Sequence, residues 1–142
     1  MSERIVLDTN VLVSALLLQG SVPDQVLDTV LSGRSRLVLD GRIMREYRTV
    51  LERPEFGFPA ERVEDVLVLL DRSEWILADP MDLRIPDEAD LPFIEVAVAG
   101  GADALVTGNT KHFAMSKGQL DVRVLTPRQY LDWLAGRMLD QT

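Results

Sequence analysis

The segment IVLDTNVLVSALLL, residues 5–18, decides the fold class of this chain. Its apolar residues 5–7 predict a short buried strand, and residues 11–18 predict a largely buried helix that follows at once. Asp8 stands between the two elements. It can face solvent over the edge of a sheet and hold a cation, or it can cap the helix as Asp and Asn often do. The segment therefore predicts a first strand–helix unit and leaves both roles of Asp8 open.

The same alternation of strand and helix continues along the chain. Further strands are predicted at residues 37–39, 75–77, 104–106 and 122–125, and further helices at residues 23–31, 42–51, 59–70, 93–99 and 127–139. Short, continuous apolar runs are typical of strands in a parallel sheet that is covered on both faces. We therefore expect a three-layer α/β/α fold with a central parallel sheet of about four to five strands. Ligands of such sheets bind outside the carboxyl ends of the strands.

The composition is that of an ordinary globular protein. The 142 residues, 46% of them hydrophobic, predict one domain over residues 1–142. No apolar run approaches the roughly 20 residues that span a bilayer, and we expect no signal peptide. Cysteine is absent, which excludes disulfides and cysteine-based metal sites. A cytoplasmic protein that makes no membrane contact is expected.

The net charge limits how the chain can bind nucleic acid. Fifteen basic and 23 acidic residues give a formal charge of −8. Phosphate binding depends on clustered Lys and Arg, so attraction over the whole surface is not expected. Any nucleic-acid activity must use a local basic patch, a metal ion or both. The alternative is that the charge only keeps a small protein soluble.

Acidic residues beyond Asp8 are the next candidates for chemistry. Glu46 lies at the border of the buried stripe of its helix, where it can serve a site or remain a solvated side chain. Asp90 precedes the helix at residues 93–99 and can act in a site or as its N-cap, and Asp87 crowds the same loop.

The fourth predicted strand leads into a second group of polar residues. Thr107 and Asn109 follow it directly and can bind a phosphate oxygen, orient a water or cap a short helix. His112, the single histidine, follows them and can be structural, exposed or catalytic.

Several carboxylates at one edge of a sheet would predict a metal site. Carboxylates that lie together repel, raise each other's pKa and are tolerated when a cation neutralises them. Hard oxygen ligands without Cys or paired His favour Mg²⁺ or Mn²⁺ over zinc. One or two such ions can activate water and stabilise the leaving oxygen in phosphodiester cleavage. The hypothesis requires that Asp8, Glu46 and Asp90 meet in space.

Five segments, taken in order, resemble the motifs of the PIN-domain family. They are DTNVLVSA at residues 8–15, MREY at 44–47, VLERPEF at 50–56, DEADLPFIE at 87–95 and ADALVTGN at 102–109. The first is similar to the opening motif, and the next two resemble the second acidic motif in the branch that contains toxin components of toxin–antitoxin systems. The last two are similar to the third acidic motif and the strand after it. The resemblance covers most of the chain, and the order and spacing of its motifs make it specific.

The resemblance implies a PIN-like fold and a VapC-like ribonuclease, a hydrolase that cleaves RNA with Mg²⁺ or Mn²⁺. It makes Asp8, Glu46 and Asp90 the catalytic metal ligands, with Asn109 completing the site directly or through water. Some relatives have Asp where Asn109 stands, and VapC-like toxins often have Asp where His112 stands. One negative charge is therefore missing here, which weakens metal affinity in principle.

Further polar residues are second-tier candidates for orienting ligands or phosphate: Asn10, Ser14, Asp87, Thr107 and His112. Asp103 could compensate for the missing acid, but it precedes the fourth strand and is expected at the opposite end of that strand.

Basic residues near Glu46 suggest how RNA could approach an acidic protein. Arg42, Arg45 and Arg48 recur every third residue, with Arg53 beyond them and Lys111 beside Asn109. They can form a basic rim that positions backbone phosphates. The alternative is a solvated helix face with ordinary ion pairs to neighbouring acids.

Competing functions differ in how well they fit. A dehalogenase-type phosphatase needs a second Asp where Asn10 stands, and a dinucleotide-binding fold needs a glycine-rich turn that residues 9–11 do not supply. The remaining rival is a catalytically weak or silent PIN-fold module that acts through a protein partner. The resemblance implies a small antitoxin as that partner. The leucines at residues 16–18 could contact it, form a homodimer interface or belong to the core.

Overall fold

The computed structural model describes residues 2–116 and 122–140, which form a five-stranded sheet and six α-helices. The strands are β1 (Glu3–Leu7), β2 (Ser35–Leu39), β3 (Glu74–Trp75), β4 (Ala104–Val106) and β5 (Arg123–Leu125). The helices are α1 (Thr9–Leu17), α2 (Val22–Leu31), α3 (Gly41–Leu51), α4 (Ala60–Leu70), α5 (Leu91–Ala99) and α6 (Pro127–Asp140). Short 3₁₀ turns lie at Pro54–Phe56, Glu88–Asp90 and Thr110–Ser116. None of the helices in these two ranges combines the length and the apolar character that crossing a bilayer requires.

The sheet is parallel throughout, with the strand order β3-β2-β1-β4-β5. β1 lies at its centre, where Ile5 stands opposite Leu37 of β2 and Ala104 of β4. Successive residues of a strand point to opposite faces, and Ile5, Val6 and Leu7 are all at most 1% exposed. Both faces of the sheet are therefore covered. The predicted three-layer α/β/α fold with a central parallel sheet is confirmed.

The third strand differs from its prediction. The apolar run at residues 75–77 predicted it, but β3 consists of Glu74–Trp75. The N–H of Ile76 still donates to the carbonyl of Leu39 at 3.0 Å, whereas the side chain of Leu77 is 98% exposed. β3 pairs only with β2 and is an edge strand, so the chain leaves the sheet after two residues. At the edge of the sheet, the apolar run at residues 75–77 therefore did not predict that its side chains are buried.

The end of α1 separates the leucines that the sequence left ambiguous. Leu16 is buried in the core, whereas Leu17 is 56% and Leu18 66% exposed. Leu16 is therefore core, and the other two form an apolar surface at the end of the helix.

Two glycines end α5, as predicted. Gly101 has a φ of +60°, a left-handed conformation that favours glycine. Gly100 is needed for a different reason, because it lies against the sheet: a Cβ added there would lie 2.6 Å from Cγ1 of Val38 and 2.9 Å from the carbonyl oxygen of Val96. The close approach of α5 to β2 depends on the absence of this side chain.

Candidate active site

Asp8 leaves the carboxyl end of β1 and is held there by the neighbouring strand. It is 7% exposed, and its Oδ2 accepts a hydrogen bond from the hydroxyl of Thr107 at 2.8 Å. Thr107 directly follows β4, which pairs with β1, so the parallel register places the two side chains together. Asp8 occupies the N-cap position of α1 but makes no side-chain capping hydrogen bond. Asp8 therefore stands both at the carboxyl edge of the sheet and at the start of α1.

Glu46 reaches the same edge from α3. The next residue, Tyr47, is fully buried and its hydroxyl donates to the carbonyl oxygen of Leu7 at 2.6 Å, which fixes α3 against the end of β1. The half-buried Glu46 then accepts a hydrogen bond from the hydroxyl of Thr9. Two threonine hydroxyls therefore orient two acids, Thr107 on Asp8 and Thr9 on Glu46.

Asp90 joins the site from the start of α5, through His112. Nδ1 of His112 lies 3.2 Å from Oδ2 of Asp90, and Nε2 lies 2.8 Å from the amide nitrogen of Asn109. The amide nitrogen can only donate, so Nε2 accepts and Nδ1–H donates to Asp90. His112 thus links Asn109 to Asp90, and Asp90 makes no side-chain capping hydrogen bond to α5.

Burial and neighbouring charges shift the pKa values of Asp8 and Asp90. Burial, and then the charge of Glu46, raise the pKa of Asp8, although the Thr107 hydrogen bond opposes them. Burial, with the charges of Asp8 and Asp87, raises the pKa of Asp90 to about 6, against an opposing contribution from His112. Asp8 therefore lies within electrostatic reach of Glu46, and Asp90 lies within reach of Asp8.

The donor chemistry of these residues fits a hard divalent cation. Carboxylates that raise each other's pKa are the arrangement that a cation stabilises, and carboxylate oxygens are ligands that Mg²⁺ and Mn²⁺ prefer. Within residues 2–116 and 122–140, however, no three His, Asp or Glu side chains form a ready-made ligand set.

The second-tier residues Asn10, Asp87 and Ser14 differ in their hydrogen bonds and exposure. Oδ1 of Asn10 accepts a hydrogen bond from the N–H of Gly108 at 3.3 Å and so ties α1 to the loop after β4. Asp87 is exposed and caps the 3₁₀ turn through the N–H of Ala89 at 3.0 Å. Ser14 is exposed on α1, and within the described residues no hydrogen bond joins it to the acids.

Asp103 lies at the opposite edge of the sheet, as expected. Its Oδ2 accepts a hydrogen bond from the N–H of Arg4 at 2.9 Å, near the start of β1. It cannot replace the missing fourth acid.

The arginines of α3 divide between the two interpretations. Arg48 pairs with Glu64 at 2.7 Å, and Arg42 pairs with Asp40 at 2.8 Å, so these two follow the ion-pair alternative. Arg45, Arg53 and Lys111 are exposed. They are the basic residues that remain for a phosphate-binding rim.

Two polar residues that contribute here had no role in the sequence analysis. Thr9 stood in the first motif, but its partner Glu46 is distant in sequence. Glu95 is 4% exposed and binds Nη1 of Arg42 at 2.6 Å and the N–H of Met81 at 2.6 Å. The sequence feature that could have identified Glu95 is its position as the single charged residue in the otherwise apolar helix LPFIEVAVA.

Asp90 should make stability depend on pH. Its pKa in the folded protein, about 6, exceeds its ordinary value of 3.8, so the folded state binds the proton more tightly than the unfolded chain. The resulting stabilisation is complete below about pH 4 and is lost as the pH rises through about 6. We expect the urea midpoint of the metal-free wild type to fall between pH 4 and 7 relative to that of Asp90→Asn. Parallel pH profiles of the two proteins would contradict this assignment.

Comparison with known proteins places the chain among characterised folds. A family model described as PIN domain matches residues 4–111. No curated protein matches the chain. A chain in the crystal structure of VapBC2 from Rickettsia felis, bound to a DNA fragment from their promoter, matches with 19% identity and a TM-score of 0.57. The match covers 87% of this chain and 98% of that one, and at this identity the likeness is one of fold.

Proposed function

The chain belongs to the PIN-domain family, and on that premise we propose that it is a metal-dependent endoribonuclease, the toxin of a toxin–antitoxin pair. In this proposal residues 1–142 act as one domain that hydrolyses RNA phosphodiester bonds with Mg²⁺ or Mn²⁺. Asp8, Glu46 and Asp90 hold the ion, and Asn109 completes the site directly or through water.

One observation carries the proposal: three acids from distant parts of the sequence converge at the carboxyl edge of the sheet. The charge of Asp8 raises the pKa of Asp90, and the charge of Glu46 raises the pKa of Asp8. Repulsion between carboxylates lowers the stability of the folded protein unless a cation neutralises it. Oxygen ligands of this kind favour a divalent cation such as Mg²⁺ or Mn²⁺.

The residues around the acids have separate tasks in this proposal. A bound ion would supply an activated water and stabilise the leaving oxygen. Thr107 and Thr9 hold the carboxylates of Asp8 and Glu46 in position by their hydrogen bonds. His112 holds Asp90 and Asn109 together. Orienting partners of this kind matter because they fix the ligands before the ion binds.

The proposed partners are RNA, a small antitoxin and a second copy of the chain. The VapBC2 structure is of a complex bound to promoter DNA, and we extend only the idea of an antitoxin partner to this chain. The exposed Leu17 and Leu18 offer apolar surface for the antitoxin or for a homodimer.

A binding module with a silent site is the second candidate. What favours it is that Asn109 and His112 stand where relatives have an acid, and that the acids form no ready-made ligand set in the described residues. Such a protein would bind its partner tightly without cleaving RNA.

Manganese should stabilise the protein if the proposed site exists. A ligand that binds only the native state, at about one hundred times its Kd, adds about 2.7 kcal/mol, or roughly 5–10 °C in Tm for a chain of this size. We expect this rise in the wild type and in Asp103→Asn, whose change lies at the opposite edge, but not in Asp8→Asn. Thermal unfolding by circular dichroism with and without millimolar MnCl₂ measures it. If Tm does not rise in any of the three proteins, the binding module becomes the better explanation.

A further inference from the structure

Glu95 is a buried carboxylate on an otherwise apolar helix, and it joins three parts of the chain. Its Oε1 accepts from Nη1 of Arg42 on α3 at 2.6 Å. Its Oε2 accepts from the backbone N–H of Met81 at 2.6 Å, in the loop at residues 76–87. Both oxygens are therefore used, and α5, α3 and this loop meet at one side chain.

Stability alone does not explain this arrangement. Removing the carboxylate of Glu95 from water is costly, while Arg42 remains 43% exposed, so the pairing offsets that cost only in part. α5 already contacts β1, β2 and β4 through apolar residues. The charged pair must therefore serve something that apolar packing would not, and the best-attested use of such pairs is to fix one arrangement of the chain.

The position of the pair indicates which arrangement it fixes. Arg42 lies one helical turn before Glu46 on α3, and Glu95 lies little more than one turn after Asp90 on α5. A bond between Arg42 and Glu95 thus holds the two helices together one turn away from the acids they carry.

Arg42 is itself fixed at the start of α3. Its Nε donates to Oδ2 of Asp40 at 2.8 Å, while Oδ1 of Asp40 accepts from the N–H of Ile43 at 3.0 Å and caps the helix. The guanidinium therefore connects the helix cap to Glu95 through two of its nitrogens. A lysine carries one ammonium at the end of a flexible stem and lacks this fork.

We propose that Glu95 is a positioning residue, which through Arg42 sets the spacing of α3 and α5 so that Glu46 and Asp90 can bind the same divalent cation. The inference rests on the proposed metal site. It adds two residues, Glu95 and Arg42, that do not bind the ion but position the residues that do.

The test measures manganese binding in three variants. Glu95→Gln replaces one acceptor oxygen by an NH₂ group, which must face either Arg42 or the N–H of Met81, both donors. Arg42→Lys keeps the charge but loses the fork. Arg48→Lys is the matched control, because Arg48 lies on the same helix and pairs with exposed Glu64 of α4, away from α5. Free Mn²⁺ is quantified by electron paramagnetic resonance at pH 7 without RNA, on protein shown to be folded by circular dichroism.

We expect Glu95→Gln and Arg42→Lys to bind Mn²⁺ about 10-fold more weakly than the wild type. This is the low end of the effect of losing a group bonded directly to a metal ligand, because the bridge acts on the ligands only through the two helices. Arg48→Lys should bind it as the wild type does. If Glu95→Gln does not fold, Arg42→Lys decides the result.

Two other outcomes overturn the inference in distinguishable ways. If the wild type binds Mn²⁺ and both variants bind it equally well, even with a lowered Tm, the bridge is only structural and the proposed metal site stands. If the wild type itself does not bind Mn²⁺, the proposed function fails and the positioning role fails with it.

Discussion

Replacing Asp8 by asparagine is expected to lower RNA cleavage about a thousandfold while the protein keeps its fold. A metal ion contributes several kcal/mol to the stabilisation of a phosphodiester transition state, and each 1.36 kcal/mol is a factor of ten in rate, so losing about 4 kcal/mol gives this effect. The amide oxygen of asparagine can still accept the hydrogen bond from Thr107. Cleavage of a labelled RNA with Mn²⁺, under single-turnover conditions, measures the change.

Stability should move in the opposite direction in the same variant. The carboxylate of Asp8 is buried near Glu46, and both effects raise its pKa. Its removal relieves this repulsion, so the metal-free Tm of Asp8→Asn should equal or exceed that of the wild type. Asp103→Asn is the control for cleavage, since Asp103 contacts the backbone of Arg4 at the other edge of the sheet. Full activity in a folded Asp8→Asn protein would refute the assignment of Asp8 to the site.

Replacing Gly100 by alanine is expected to destabilise the protein by about 2–3 kcal/mol, the upper part of the range for overpacking a buried contact. The added Cβ would lie 2.6 Å from Val38 Cγ1 and 2.9 Å from the carbonyl oxygen of Val96. Val38 is fully buried in β2, so neither neighbour is the free end of a flexible side chain. Urea unfolding should show a lower midpoint with an unchanged m-value.

Gly136 provides the matched substitution in open space. It lies inside α6, and an added Cβ would have nothing within 4 Å. Alanine is favoured over glycine in helix interiors, so Gly136→Ala should stabilise by about 0.5–1 kcal/mol. Opposite signs for the two variants would establish that contact with the sheet, and not loss of a glycine as such, determines the effect at Gly100. Equal effects would contradict the close packing of α5 on β2.

The fold followed from the sequence because its strands are continuous apolar runs. A strand that is covered on both faces is apolar at every position, so the strands at residues 5–7, 37–39 and 104–106 could be predicted from their continuous apolar runs. The exception was β3, where an edge position let Trp75 and Leu77 remain exposed. Hydrophobicity predicts that a segment can be buried, whereas the position of a strand in the sheet decides whether it is.

The candidate site was predictable in outline and not in its contacts. The carboxyl ends of parallel strands share an edge, which is why Asp8 after β1 and Thr107 after β4 could be selected as candidates from the sequence. The bonds of Thr9 to Glu46, of Arg42 to Glu95 and of His112 to Asp90 join residues far apart in sequence. No local pattern encodes such partners. The catalytic and metal-binding roles of Asp8, Glu46, Asp90 and Asn109 stay predictions.

The central position of β1 has a consequence for the synthesis of the protein. One neighbour of β1, β2, follows within a few tens of residues, but the other, β4, begins only at Ala104. Until the ribosome has released that segment, one side of β1 offers unpaired backbone groups, and Thr107 cannot donate its hydrogen bond to Asp8. If the proposed function holds, a nascent chain could not cleave RNA before β4 has left the ribosome. A chain cut short before Ala104 would leave this side of β1 unpaired and would be prone to aggregate.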